Sequence, residues 1–315
     1  MDPVRYYGYT RSVPSDLVPA LSVRHTAFEA AARAVIAGRR SPCTRAAYSS
    51  DLELWLTFAY ARGIAPEAPA PEDVQEFKGV LLASLAPMSA RRVLAGLSAT
   101  FRRLAARGAA PGNPFHPDLA EWPAVDPEGK TEPVAPGAAE AMIAAARAAG
   151  AAAARDLAVL LILHETGLRR SSVASLRRDA LFKRGDLLCA RTTVKGGKSG
   201  VATFPEETTA ALRAWLEVAP ASPYAFPAPR DHTRPLHPNR VNDVVSRWAR
   251  AAGVETHPHA FRVSFITEGY DQKLPERELQ AAADHADPRT TQRYDRKRRG
   301  GDVATAIAAA RKARE

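Results

Sequence analysis

The stretch between residues 109 and 137 constrains the fold most, because it contains seven prolines and three glycines. Proline removes a backbone hydrogen-bond donor and clashes with the preceding helical turn, and glycine costs entropy inside a helix. A stretch of this composition is typical of a connection between domains. We therefore predict an interdomain linker at residues 109–137, between a domain at residues 25–108 and a second domain at residues 138–300. The 315 residues are sufficient for two domains of ordinary size.

The first of these domains is predicted to be helical, because its apolar residues recur at helical spacing. Ser41, directly before a proline, predicts the start of one helix, and Gly63 predicts its end. Pro71 begins another predicted helix, which has acidic residues in its first turn. Ser89 is predicted to cap the next one.

The helix after Ser89 carries two arginine pairs, Arg91 with Arg102 and Arg92 with Arg103. The members of each pair are eleven residues apart, which is about three helical turns and places them on one face. This face is either an ordinary solvated surface or a DNA contact in which arginines meet phosphates and base edges. Both interpretations are open at this point.

The second domain is predicted to combine helices with a small antiparallel sheet. Alanine- and leucine-rich helical sequence runs from residue 138 to His164 and breaks at Gly167. Strands are predicted on either side of a Lys-Gly-Gly-Lys turn, at residues 187–194 and 201–204. Further helices are predicted over residues 206–217, 239–252, 259–270 and 303–313. The fold class is therefore mainly α, with a helical first domain and an α+β second domain.

The formal charge of +10 and the sequence pI of about 9.9 favour a polyanionic partner such as nucleic acid. An anionic membrane surface would also attract such a chain. Its two cysteines, Cys43 and Cys189, are far apart and in no metal-ligand spacing, which favours a reducing compartment. No apolar run has the length of a signal peptide core or a bilayer span. We expect a soluble cytoplasmic protein encoded by a bacterium or a phage, with no membrane partner.

Four motifs follow one another in the second domain. They are Thr166-Gly167-Leu168-Arg169, Lys195-Gly196-Gly197-Lys198, His257-Pro258-His259-Ala260-Phe261-Arg262, and His285 followed nine residues later by Tyr294. This order and spacing resembles the tyrosine recombinases, the phage integrase family that includes the Xer and Cre recombinases. The resemblance implies the tyrosine recombinase catalytic fold and a metal- and ATP-independent DNA strand transferase. It implies six catalytic residues, namely Arg169, Lys195, His259, Arg262, His285 and Tyr294.

The residue types suit cleavage of a DNA phosphodiester without a metal ion. Each arginine can form paired hydrogen bonds to a phosphate and stays charged at any working pH. By resemblance, Arg169 and Arg262 hold the phosphate, and Lys195 protonates the departing 5′ oxygen. Tyr294 is implied as the nucleophile that forms a covalent 3′-phosphotyrosine. We expect no cofactor and no metal, because no cysteine or acidic ligand stands at a matching spacing to the histidines.

His259 and His285 are implied to bond the phosphate oxygens and assist proton transfer. Lys198, in the same turn as Lys195, is assigned to DNA contact. Asp287 and Pro288 predict a short helix that carries Tyr294 about two turns along.

The first domain also resembles a family domain, the helical core-binding (SAM-like) domain that precedes the catalytic domain. The matching residues are Thr44, Arg45, Tyr48, Asp51 and Leu52, followed later by Asn113 and Pro114. The resemblance implies a Xer- or Cre-like layout in which two domains clamp duplex DNA. It implies a monomer or weak dimer when free, and a homo-tetramer that joins two DNA sites through a Holliday junction. Residues 1–24 are expected to form a flexible arm, and the helix at residues 301–315 to dock on a neighbouring protomer.

Three positions depart from the family pattern. Ser172 stands where an acidic residue is common, Val263 where a second histidine is common, and Asp284 where a glycine is usual. These departures leave open the alternative that the protein is a DNA-binding regulator that has lost catalysis. A second alternative is a type IB topoisomerase, which shares the chemistry of the tyrosine recombinases. Integration or excision of a mobile element, dimer resolution and transposition are not separated by the sequence, nor are the target site and any accessory protein.

Overall fold

The computed structural model describes residues 26–125, 131–193, 199–283, 288–292 and residue 295. The chain divides into two compact units between Pro127 and Glu128. The predicted N-terminal arm and the predicted C-terminal helix lie outside the described residues. Within the described ranges, no helix is long and apolar enough to cross a membrane.

The first unit is an all-helical domain built around an aromatic core. Its helices are α1 (Thr26–Ala37), α2 (Pro42–Ala61), α3 (Pro71–Ser84), α4 (Pro87–Ala105) and the short α5 (Pro117–Ala120). Trp55 of α2 packs edge-on against Phe77 and Phe115, with ring centroids 5.2 and 5.0 Å apart. The Trp55 indole also donates to the Pro66 carbonyl oxygen at 2.9 Å, so its polar atom is satisfied in the core.

The helix starts in this unit follow the local signals in the sequence, with one exception. The Ser41 side chain accepts a hydrogen bond from the Thr44 N–H at 3.3 Å, and the Asp73 carboxylate accepts one from the Ala70 N–H at 2.8 Å. The prediction that Ser89 caps the next helix is wrong, because α4 already begins at Pro87. Pro87 is the better signal, because the first helical position has no intrahelical partner for an N–H and proline lacks that group.

The linker predicted at residues 109–137 is wrong over residues 109–125, which pack within the first unit. Phe115 is fully buried and Ala120 nearly so, and the Trp122 indole donates to the Phe115 carbonyl oxygen at 3.0 Å. Pro117 opens the short helix α5, where a proline is tolerated. On the far side of the unit boundary, the Val134 N–H donates to the Ser264 hydroxyl at 2.8 Å, so this residue is held by the second unit.

The second unit combines helices with two small antiparallel sheets, and this confirms the predicted fold class. Its elements in chain order are α6 (Ala138–Ala148), a 3₁₀ turn (Gly150–Ala153), α7 (Ala154–Thr166), α8 (Arg170–Ala174), β1 (Leu181–Arg184), β2 (Leu187–Thr193), β3 (Ser199–Thr203), α9 (Glu206–Val218), β4 (Pro227–Ala228), β5 (Asp231–Pro235), α10 (Pro238–Ala251), α11 (Pro258–Asp271), α12 (Glu276–Ala282) and α13 (Pro288–Gln292).

The larger sheet has the order β1-β2-β3, with Ala190 of β2 opposite Leu181 on one side and Ala202 on the other. Strand β1 was not predicted, because half of it is exposed and charged. The helical sequence predicted from residue 138 to His164 is interrupted at Gly150, which has a φ of 63°. A left-handed backbone angle of this kind ends a helix and favours glycine.

Helix α7 is the centre of the second unit. Residues 158–163 are all buried, so the helix is covered on every face, and it packs against α6, α9, α10 and α11. A helix that is apolar all round belongs in the middle of a core. Its C-terminal end therefore provides a rigid base for the residues that follow it.

Candidate active site

Arg169 is positioned by the turn that ends α7. Gly167 adopts a left-handed φ of 58°, and a Cβ atom there would lie 2.7 Å from the Phe265 ring of α11. The Thr166 hydroxyl donates to the Ile162 carbonyl oxygen and accepts from the Leu168 N–H, which fixes the turn. Arg169 follows in extended conformation as the residue before α8. The Thr-Gly-Leu-Arg motif therefore has a physical role at each of its first two positions.

Arg262 is almost fully buried, with 3% of its surface exposed. Its guanidinium donates to the Gly167 carbonyl oxygen at 2.9 Å and to the Ala283 carbonyl oxygen. A buried charge is costly unless its donors are satisfied, and these carbonyl groups satisfy two of them. Arg262 thus joins α11 to the turn that carries Arg169 and to the end of α12.

His259 lies in the first turn of α11 and is exposed, whereas Arg262, three residues further along, is buried. Partial loss of hydration is the main cause that lowers the pKa of His259, and the positive charges of Arg262, His257 and Arg169 lower it further. Arg262 lies one turn after His259 in α11, and its bond to the Gly167 carbonyl oxygen brings it to the turn that carries Arg169. A lowered pKa favours the neutral imidazole, which has one hydrogen-bond donor and one acceptor.

The structure therefore brings together three of the six predicted catalytic residues: Arg169, His259 and Arg262. Lys195, His285 and Tyr294 lie outside the described residues, as does Lys198. Their described neighbours are the ends of β2 and β3 around the lysine turn, the end of α12, and α13.

Two of the departures from the family pattern can be located. Val263 is fully buried in α11, so it packs in the interior of the second unit. Ser172 lies in α8, where its N–H donates to the Arg169 carbonyl oxygen at 2.8 Å. Asp284 lies outside the described residues.

Arg92, predicted as a DNA contact, forms a two-point ion pair with Asp51 of α2. Its two terminal nitrogens lie 2.9 and 2.6 Å from the carboxylate oxygens, and Asp51 is fully buried. Burial raises the pKa of Asp51 to about 6, although the bonds to Arg92 oppose this rise. Gly96 allows the pair, because a Cβ atom there would overlap an Asp51 oxygen.

The other three arginines of the predicted DNA face differ in their surroundings. Arg91 donates to the Pro123 carbonyl oxygen at 3.1 Å and lies over the Trp122 ring. Arg102 and Arg103 are exposed. The predicted face is therefore divided into a part that holds the first unit together and a part that is open to solvent.

Arg39 is a partly buried arginine beside this open part, and no sequence pattern had indicated it. Its guanidinium donates to the Ala99 carbonyl oxygen at 2.8 Å and lies 5.0 Å from the centre of the Tyr48 ring. Burial lowers the pKa of Arg39, and the charges of Arg103 and Arg102 lower it further. Arg39, Arg102 and Arg103 therefore form one basic cluster, although about sixty residues separate Arg39 from the other two.

The residues that the structure describes include no group of three or more histidine, cysteine, aspartate or glutamate side chains that could hold a metal ion. The candidate site consists instead of two arginines and a histidine around the N-terminal end of α11, where the helix dipole also favours an anion.

Known proteins share both the sequence pattern and the fold. Tyrosine recombinase XerA of Pyrococcus furiosus is 32% identical over 148 residues, which are 45% of this chain and 50% of that protein. Tyrosine recombinase XerD of Caulobacter vibrioides is 33% identical over 167 residues, which are 49% of this chain and 54% of that protein. The chain thus spans about half the length of these curated relatives.

Solved structures show the same fold at lower identity. The Tn1549 transposon integrase in complex with transposon right end DNA gives a TM-score of 0.70 at 15% identity, covering 90% of this chain and 98% of that one. The XerH site-specific recombinase bound to a palindromic difH substrate gives a TM-score of 0.67 at 14% identity, covering 89% of this chain and 94% of that one. The sequence profile of the phage integrase family matches residues 134–300, more than half of the 315 residues. The protein therefore belongs to the phage integrase family of tyrosine recombinases.

Proposed function

We propose that the protein is a site-specific DNA recombinase that cleaves and rejoins strands through a 3′-phosphotyrosine intermediate. The observation that carries the proposal is the convergence of Arg169, Arg262 and His259 at the N-terminal end of α11. These groups form a fixed cationic site of the kind that stabilises charge on a phosphate in the transition state. Family membership and the DNA-bound state of the related transposon integrase and XerH structures support the same assignment.

The phosphate is held by the two arginines. The bonds from Arg262 to the Gly167 and Ala283 carbonyl groups fix its guanidinium before substrate arrives, so little reorganisation is needed at the moment of reaction. Arg169 approaches from the adjacent turn. Together they offset the negative charge that otherwise repels a nucleophile.

In the chemical step, the phenolic oxygen of Tyr294 attacks the phosphorus and the bond from phosphorus to the 5′ oxygen breaks. The neutral imidazole of His259 accepts the phenolic proton, and Lys195 donates a proton to the departing 5′ oxygen. His285 bonds a non-bridging oxygen. Attack of a 5′ hydroxyl on the phosphotyrosine reverses each transfer and rejoins the strand, so no ATP is required.

The first unit is assigned to duplex binding, through the basic cluster of Arg39, Arg102 and Arg103. Arg91 and Arg92 were predicted in the same role. Their contacts to Pro123 and Asp51 hold them in place along α4. In recombination, four protomers would hold two duplexes and exchange strands through a Holliday junction.

The proposal is tested with a nicked suicide duplex carrying the flanking DNA of the gene, in the presence of EDTA. The short fragment released by cleavage diffuses away, so a covalent adduct accumulates. We expect an adduct of protein and DNA with the wild type and none with Tyr294→Phe. Tyr270→Phe is the matched control, since Tyr270 lies in α11 outside the motif, and this variant should form the adduct.

Three outcomes separate the candidate functions. Absence of an adduct on DNA that is demonstrably bound would contradict the proposal and favour a regulator without catalysis. The departures from the family pattern at Ser172 and Val263 would then account for the lost activity. An adduct with relaxation of supercoiled DNA, but no strand exchange between two sites, would favour a topoisomerase. An adduct with exchange between two sites supports a recombinase.

A further inference from the structure

The chain begins three helices with the same dipeptide, histidine followed by proline. His116 precedes α5, His237 precedes α10, and His257 precedes α11. Proline occupies the first helical position in each case, so the histidine is the residue whose side chain can cap the helix. The three sites can therefore be compared directly.

Two of these histidines cap their own helices. The Nδ1 atom of His116 accepts from the Asp118 N–H at 3.3 Å, and that of His237 accepts from the Asn239 N–H at 3.2 Å. Their backbone angles are similar, with φ of −63° and −70°. The arrangement satisfies one N–H group that has no partner within the helix.

His257 departs from this pattern. Its φ is −147°, and its side chain makes no capping hydrogen bond. The ring lies nearly parallel to that of His259, at an interplanar angle of 13° and with 6.4 Å between the ring centroids. His257 is also exposed to solvent. Its imidazole is thus aligned with a residue of the candidate active site instead of with the end of its own helix.

The surroundings of His257 favour an anion. The charges of Arg262, His257 and Arg169 all act on His259, so four basic groups lie near one helix end. The dipole of this 14-residue helix adds partial positive charge at its start. Glu255, two residues upstream and exposed, is the nearest acidic residue in the sequence.

We propose that His257 binds the DNA phosphate adjacent to the scissile phosphate on the same strand, and so positions the cleaved strand. The inference rests on the proposed function. The parallel rings of His257 and His259 have centroids 6.4 Å apart. This spacing suits two successive phosphates of one DNA strand better than two oxygens of a single phosphate. Successive phosphates of one strand advance about 3.4 Å along the duplex axis and also rotate about it, so their separation exceeds that rise.

The test uses suicide duplexes in which single phosphates near the cleavage point are replaced by uncharged methylphosphonates. The cleavage point is first located from the adduct of the wild type. With the wild type, we expect replacement of the adjacent phosphate to slow adduct formation about tenfold, the loss typical of one charge-assisted hydrogen bond. His257→Ala should be slowed about as much on unmodified DNA and should show no further loss on the modified duplex.

Two variants keep the result specific. His237→Ala removes a capping histidine of the same His-Pro type, and it should remain as sensitive to the methylphosphonate as the wild type. His257→Asn retains a side-chain donor and should recover most of the rate on unmodified DNA.

If His257→Ala remains as sensitive as the wild type to replacement of every phosphate tested, the inference is wrong. If the wild type forms no adduct, it is the proposed function that fails. If His257→Ala does not fold, His257→Asn decides the question. A rate of adduct formation by His257→Asn on unmodified DNA far below that of the wild type would contradict the inference.

Discussion

The buried ion pair between Asp51 and Arg92 makes a quantitative prediction about pH. Asp51 is fully buried, and burial raises its pKa from 3.8 to about 6 despite the two bonds from Arg92. A carboxyl group whose pKa is higher in the folded state contributes stability below its unfolded pKa and loses it as the pH rises through the folded value. The gap between 3.8 and about 6 corresponds to about 3 kcal/mol.

The perturbation is Asp51→Asn, which retains the shape of the side chain and removes its titration. We expect the free energy of unfolding of the wild type, relative to that of the variant, to fall by about 2.5 kcal/mol between pH 4 and pH 7, because a small part of the ~3 kcal/mol is already lost at pH 4. Amide hydrogen exchange of peptides from α2 and α4 reads this unfolding directly. Comparing both proteins at the same pH removes the intrinsic pH dependence of exchange.

A matched control is Glu72→Gln, which removes an exposed carboxylate from the first turn of α3. Its difference from the wild type should change little over the same pH range. A constant difference between wild type and Asp51→Asn would refute the reasoning. A difference of opposite sign would mean that the attraction of Arg92 outweighs the cost of burial.

Two further predictions concern the site and the DNA surface. Gly167→Ala should lower the free energy of unfolding by about 3 kcal/mol, because it combines a left-handed backbone angle with overlap on Phe265, whereas Gly150→Ala should cost about 1 kcal/mol through its backbone angle alone. Thermal denaturation measures both, and equal losses would contradict the role of Phe265. DNA binding should weaken steeply with salt, and Arg102→Ala and Arg103→Ala should each reduce the slope of log affinity against log salt by about one. Binding titrations across salt concentrations test this, with Arg62→Ala, which removes an exposed arginine paired with Glu76, as the control; an unchanged slope in both variants would remove the cluster from the DNA contact.

Much of the local structure could be predicted from the sequence. The start of α2 at Ser41 and that of α3 at Pro71 follow from capping and proline signals that act over a few residues. The two strands around the lysine turn and the helices of the second unit follow from hydrophobic periodicity. The family resemblance likewise depended on motifs that are short in sequence.

Local signals failed where packing decided the outcome. Residues 109–125 have the composition of a linker, yet Phe115 completes the aromatic core of the first unit. Strand β1 carries exposed charges and forms because β2 offers it a hydrogen-bonding edge. Neither contact is encoded in the residues of the segment alone.

The sequence by itself determined which residue types are present for phosphate chemistry and in what order, because motif spacing is a property of the chain. Only the tertiary structure decided which of them meet. Arg262 contacts the turn before Arg169 across 95 residues of chain, and Arg92 is paired with Asp51 across 41. Such contacts depend on how helices pack around a shared core. The parallel arrangement of the His257 and His259 rings, which the other two His-Pro starts lack, likewise appears only in the tertiary structure.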